Sequence, residues 1–194
     1  MNIATLQTEV YNLTNRPDLV SQTLTAIRKA TMKCHLADEF RQDLQIAIIT
    51  VPVQTDFHYQ LDLTNTVSYP NIRRVANIKE YNNPLVGNEI QFTKLYANAL
   101  LDDYKLERSN YWYQAGMAVT IGSFKQLVQV TVAYHAYPNT AVATYSSWIA
   151  DQFPDAIIEE AASTIFKTVG KSDEAKLYQQ HFAENLQFLR QIGL

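Results

Sequence analysis

Cysteine is nearly absent: Cys34 stands alone in 194 residues. That excludes an intrachain disulfide and a zinc site built from cysteines. Glycine and proline are also scarce, at 5 and 6 residues, and there is no internal repeat, low-complexity segment or linker. Charge is thin at 18% against a usual value of roughly 25%. Basic residues do not exceed acidic ones, and the net charge is −3. A protein that grips nucleic acid by neutralising phosphates needs a clustered basic surface. No stretch approaches the roughly 18 apolar residues of a membrane helix. The first residues, Met1 to Thr5, carry neither a basic region nor a long apolar run, so no secretory signal is expected.

What is present suffices for a core. Hydrophobic residues make up 47% of the chain, and 12 tyrosines accompany the low charge. That combination suggests a surface largely covered by neighbouring subunits. The length fits one domain, since domains run from about 50 to 250 residues.

The chain opens with two helical patterns within residues 1–41. Ile3, Leu6, Val10 and Leu13 recur at spacings of three and four, one face of a helix. Pro17 fits the first turn of a second helix, whose stripe is Val20, Leu24, Ile27, Thr31 and Cys34. The centre, 45–138, reads as β. Gln45 to Val51 is a short apolar run, and Phe57, Tyr59, Leu61 and Leu63 alternate with polar residues. Strands are also expected at Ile72–Tyr81 and around Ile90 and Phe92, and a short helix at Tyr96–Leu106. Met117, Val119 and Ile121, then Val128 to Tyr134, alternate on either side of Gly122 and read as a hairpin. Helices return in 147–192. Pro154 and Asp155 suit a first helical turn, and Gly170 a C-terminal stop. Ser172 is expected to cap the last helix. The fold class is therefore α+β: an N-terminal helical hairpin, a central antiparallel β region with a hairpin, and a C-terminal helical pair.

The last helix has two apolar stripes. Tyr178, Phe182, Leu186 and Leu189 form the main one; Leu177, His181, Phe188 and Ile192 form a second beside it. A helix apolar over much of its circumference needs more than one partner surface. The second stripe makes Leu177, Phe188 and Ile192 candidates for an interface with another subunit or a partner.

No reactive constellation emerges. Among His35, His58, His135 and His181 no two are four residues apart, so no helical metal pair exists. No glycine-flanked serine marks a nucleophile elbow, and Cys34 falls on an apolar stripe. Gly170-Lys171-Ser172 ends like a phosphate-binding loop, but Ile165 stands where that motif needs its first glycine. Asp102, Asp103, Asp155, Glu159 and Glu160 offer carboxylates for acid–base work, but Glu159 and Glu160 are expected on a solvated helix face. The chain is thus expected to be no enzyme, with no cofactor and no metal. Arg73 and Arg74, with Tyr111-Trp112-Tyr113, form the best nucleic-acid candidate, since aromatics beside basic residues hold single strands.

One run of residues carries a resemblance. Trp112-Tyr113-Gln114-Ala115-Gly116 leads into the strand signals and Tyr134-His135-Ala136-Tyr137-Pro138. Then come Ser147-Trp148-Ile149, Phe153-Pro154-Asp155-Ala156-Ile157-Ile158, an alanine-rich helix, Lys171 to Ala175, and a closing helix through Tyr178 and Phe182. This order, with Leu13-Thr14-Asn15-Arg16-Pro17-Asp18 near the start, resembles the adaptor proteins of tailed-bacteriophage head-to-tail junctions. The likeness spans most of the chain in layout and about 80 residues in detail, and it rests on packing patterns.

The resemblance implies a structural virion protein made in the host cytoplasm. Such adaptors form rings, typically dodecamers, which bind the portal protein on one side and the tail or nozzle protein on the other. DNA leaves through the channel without specific binding, and no membrane is involved. Two other readings stand beside it: a nucleic-acid or ligand-binding module, and another neck or tail completion protein.

Overall fold

The computed structural model describes residues 1–55, 58–81, 90–95 and 110–192. The order of elements is helices, strands, helices, and the chain divides into two compact units. Met1–Asp43 with Tyr137–Leu194 make the first, and Leu44–Ala136 the second. The fold class is α+β, as the periodicities require.

In the first unit, α1 (Ile3–Thr14) begins where the Asn2 side chain accepts the Thr5 N–H at 2.9 Å. It stops at Asn15, which takes the left-handed conformation at φ 55°. Its buried face is Ile3, Leu6, Val10 and Thr14; Leu13 is exposed. Thr14 tolerates burial because its hydroxyl donates to the Val10 carbonyl at 2.7 Å. Pro17 lies in the connecting turn, ahead of the second helix. Leu19 N–H reaches the Arg16 carbonyl at 3.2 Å, and Arg16 clamps Asp18 with two hydrogen bonds. The second helix, α2 (Val20–His35), starts late enough to leave Val20 exposed. Thr23, Ala26, Ile27, Ala30, Thr31 and Cys34 form its inner face. Burial pushes the Cys34 thiol up to about 12, the reverse of what a nucleophile needs.

Three helices complete this unit: α3 (Trp148–Gln152), α4 (Pro154–Thr168) and α5 (Ser172–Ile192). Ser147 caps α3 by accepting the Ala150 N–H, and Pro154 opens α4. Gly170, at φ +79°, ends α4. Lys171 N–H reaches the Phe166 carbonyl at 2.9 Å and Gly170 N–H the Lys167 carbonyl at 3.3 Å, the paired hydrogen bonds of a glycine-terminated helix. Ser172 is already inside α5. Lys171 holds the capping position, its carbonyl accepting the Ala175 N–H at 3.1 Å. The core joins α1, α2 and α4 with Phe182 and Leu189 of α5.

The second unit holds two sheets. β1 (Leu44–Thr50), β7 (Gln129–Ala136) and β3 (Ile72–Glu80) form one, with β7 central and both pairings antiparallel. β2 (His58–Asp62), β6 (Ala118–Gly122), β5 (Tyr111–Ala115) and the short β4 (Thr93–Lys94) form the other. There only the β4–β5 pair is parallel among the described pairings. One hydrophobic cluster includes residues of both sheets, with Val75, Ile78, Trp112, Val119, Ile121, Val130 and Val132 fully buried.

The hairpin is displaced from its expected place. The Met117–Ile121 segment does not pair with the Val128–Tyr134 segment. β6 pairs with β5, and Ala115 faces Ala118 across the two-residue loop Gly116-Met117. Gly116 supplies the positive φ, +59°, that a tight hairpin loop needs at its first position. Gly122 has another use: the Tyr111 ring lies 2.5 Å from where a Cβ would sit. After it, residues 123–128 cross from one sheet to the other. The helix expected at Tyr96–Leu106 lies outside the described residues.

Candidate interaction surface

The last helix carries the surface of interest. Its inner stripe buries Ala175, Phe182 and Leu189, with Leu186 packed against the same core. Tyr178 stacks on Phe166 of α4 at 5.4 Å between ring centroids. Roughly a quarter-turn round the helix lie the residues of the second stripe. Leu177 is 48% exposed, Phe188 50% and Ile192 42%. At a rise of 1.5 Å per residue they span about 22 Å along one side of α5. Phe188 is steadied by an edge-to-face contact with Phe153 at 5.9 Å. His181, between them, is half-exposed, lies 3.7 Å from Glu159 and meets the Tyr178 ring edge-on. The stripe therefore presents three apolar side chains with a half-exposed histidine among them.

The flank of α5 next to the stripe is fixed by polar clasps. Lys33 of α2 pairs with Glu160 at 2.7 Å and sits over the Phe182 ring. Asn185 donates to Glu159 at 2.6 Å. Glu159 and Glu160 are thus half-buried, not solvated, because neighbouring helices cover both flanks of α4. Burial raises the Glu159 pKa, while Asn185 and His181 pull it back. Beside it a cleft of about 370 Å³ opens among α1, α4 and α5, bounded by Glu9, Leu13, Asp155, Ile158, Glu159 and Tyr178. Three carboxylates line it, beside Asn12.

A buried polar cluster escaped the sequence reading. His35 Nδ1 lies 2.8 and 2.9 Å from the Asp43 carboxylate oxygens, and Trp148 Nε1 donates to Asp43 at 2.8 Å. Phe40 packs edge-on against Trp148 at 5.2 Å. The cluster ties the end of α2, the 3₁₀ turn Arg41–Asp43 and α3 together. His35 was not among the stripe residues read from the sequence; once the helix buries it, it demands a polar partner. Nothing in the spacing names Asp43.

The nucleic-acid candidates are only partly assembled. Arg73 and Arg74 sit on β3, with Arg73 half-buried and Arg74 exposed. The aromatic run is β5, and strand alternation splits it: Trp112 is fully buried, while Tyr111 and Tyr113 stack on each other on the other face. Trp112 cannot stack on a base. Lys94 lies over the Trp112 ring at 5.0 Å, and burial, aided by Arg74, lowers its pKa. The basic set around Arg74 thus includes a residue the sequence did not single out.

Among the described residues, no group of three or more His, Cys, Asp or Glu is placed to hold a metal ion. No helix among them is long and apolar enough to cross a membrane. No family model matches the sequence, and no curated protein matches it.

Proposed function

We propose that the protein is a structural subunit of a bacteriophage head–tail junction, a ring that joins portal to tail around the DNA exit channel. The observation that carries this reading is the exposed line Leu177, Phe188 and Ile192 on a helix whose other face anchors the core. Depletion of charge with apolar and aromatic side chains is the composition of an interface centre. The resemblance of the Trp112–Phe182 run to adaptors supplies the biological setting. The net charge of −3 suits a channel through which DNA must slide, since like charge reduces sticking.

In this reading the α5 stripe meets the portal or the adjoining subunit, and the chain performs no chemistry. The double substitution Phe188→Ser with Ile192→Ser tests it. Both side chains are about half exposed, so the folded monomer should lose no more than about 1–2 kcal/mol. Binding to immobilised portal rings should fall at least tenfold. Portal binding unchanged by the double substitution would contradict the assignment. If the wild-type protein instead bound single-stranded DNA tightly, with a salt dependence that Arg73→Ala and Arg74→Ala reduce, the nucleic-acid reading would replace it.

A further inference from the structure

Strand β1 is an open sheet edge of unusual composition. It pairs with β7 on one side, and among the described residues no strand pairs with its other side. Its sequence, Leu44-Gln45-Ile46-Ala47-Ile48-Ile49-Thr50, has no charge and no proline, and its register with β7 is unbroken. Natural edge strands are normally guarded by lysine, proline or a bulge. Here the guard is missing, and Leu44, Ile46 and Ile48 are 41, 68 and 51% exposed. The opposite edge of the same sheet is protected. β3 has two register irregularities, and its far end is bridged by Gln91, with Glu80 N–H on the Ile90 carbonyl at 3.0 Å.

The backbone fixes which groups face outward. Val51 N–H bonds the Val128 carbonyl at 3.0 Å, continuing the β1–β7 ladder. In an antiparallel ladder alternate residues turn both backbone groups to the same neighbour. Gln45, Ala47 and Ile49 therefore face β7, and Leu44, Ile46, Ile48 and Thr50 direct N–H and C=O to the open side. These are also the residues whose side chains stand on the exposed face.

We infer that two copies of this chain pair through β1, antiparallel about a twofold axis at Ala47. In that alignment Ile46 lies opposite Ile48 of the second copy, and Leu44 opposite Thr50. Every opposed pair of this kind joins two outward-facing residues, so all the free donors and acceptors of both edges are met. The apolar side chains cover one another across the new ladder, and cross-strand pairs of β-branched residues are favourable. No like charges oppose, because the strand carries none. A charged or proline-bearing partner strand would fit this edge less well than the strand itself does. The Gln91 bridge and the two register irregularities make the β3 edge of the next copy a poorer partner for β1.

Such a contact is isologous and closes on itself, so it cannot build a ring. It describes the free protein and stands independently of the proposed junction role.

Sedimentation equilibrium of the purified full chain across the micromolar range tests it, with no portal present. The wild type should show a monomer–dimer equilibrium. Ile46→Pro removes an outward N–H without breaking a bond to β7, and Ile48→Lys restores the missing edge charge. Each should raise the dimer dissociation constant at least tenfold while circular dichroism stays unchanged. If Ile46→Pro fails to fold, Ile48→Lys decides. A spin label on Thr50→Cys, in a Cys34→Ser background, reads the register: the two labelled Cα atoms should lie about 20 Å apart. A wild type that stays monomeric, association that both substitutions leave intact, or a label distance well off this value would each overturn the inference.

Discussion

Single side chains in the helical unit do work that their exposure does not announce. Asp43 is held by His35 and Trp148 within 2.9 Å and is almost fully buried. Asp43→Ala strands both partners, and a loss of about 2–4 kcal/mol is expected in denaturant unfolding. A loss under about 0.5 kcal/mol would mean that the cluster contributes little. Glu159 acts in the opposite sense. Burial raises its folded pKa, so the native state holds the proton more tightly than the unfolded chain. The resulting penalty is full above the folded pKa and absent below the ordinary glutamate value. The groups that face it are Asn185, His181, Asp155 and Glu184, and the clasp is partly open to water. Glu159→Gln should therefore stabilise by no more than about 1 kcal/mol at neutral pH. That gain should vanish as pH falls through the carboxylate range, as read from melting curves across pH. A gain that grows on acidification would refute the sign.

At the scale of elements, the glycines separate what periodicity can reveal from what it cannot. Alternation at Tyr59–Leu63, Val119–Ile121 and Val130–Tyr134 located strands, because burial of one face imposes a period of two. It could not say which strand neighbours which. The glycine nearest two strong alternating segments, Gly122, looked like a turn and is a packing site under Tyr111. The true turn, Gly116, hid because β5 is a run of aromatics and glutamine without clean alternation. Substitutions distinguish the two roles. Gly122→Ala drives a Cβ into the Tyr111 ring, whose hydroxyl meets His58 at 3.2 Å, and should cost about 1–3 kcal/mol. Gly116→Ala meets no neighbour, so its cost should be backbone strain alone, about 1 kcal/mol. Tyr111→Ala should relieve the first and not the second; equal behaviour of both in a Tyr111→Ala background would contradict these roles. The candidate surface was legible for a similar reason. Two stripes on one helix need two partners, and the inner stripe of α5 reached the core as Tyr178, Phe182, Leu186 and Leu189. The buried clasp at Asp43 was not legible, since it depends on a contact between residues 105 apart in sequence.

Across the whole molecule, low charge and the exposed apolar strips on α5 and β1 point one way. Isolated surface apolar residues need no explanation, but aligned ones mark contact surfaces. A chain of this kind is suited to be built into something larger. The adaptor reading gives that larger thing a composition. The direct test is to mix the purified protein with assembled portal rings and weigh the product by native mass spectrometry. The account predicts addition of a full set of copies matching the portal symmetry, with no partial sets dominating at saturation. A portal that stays bare across salt conditions, and on DNA-filled heads, would contradict it.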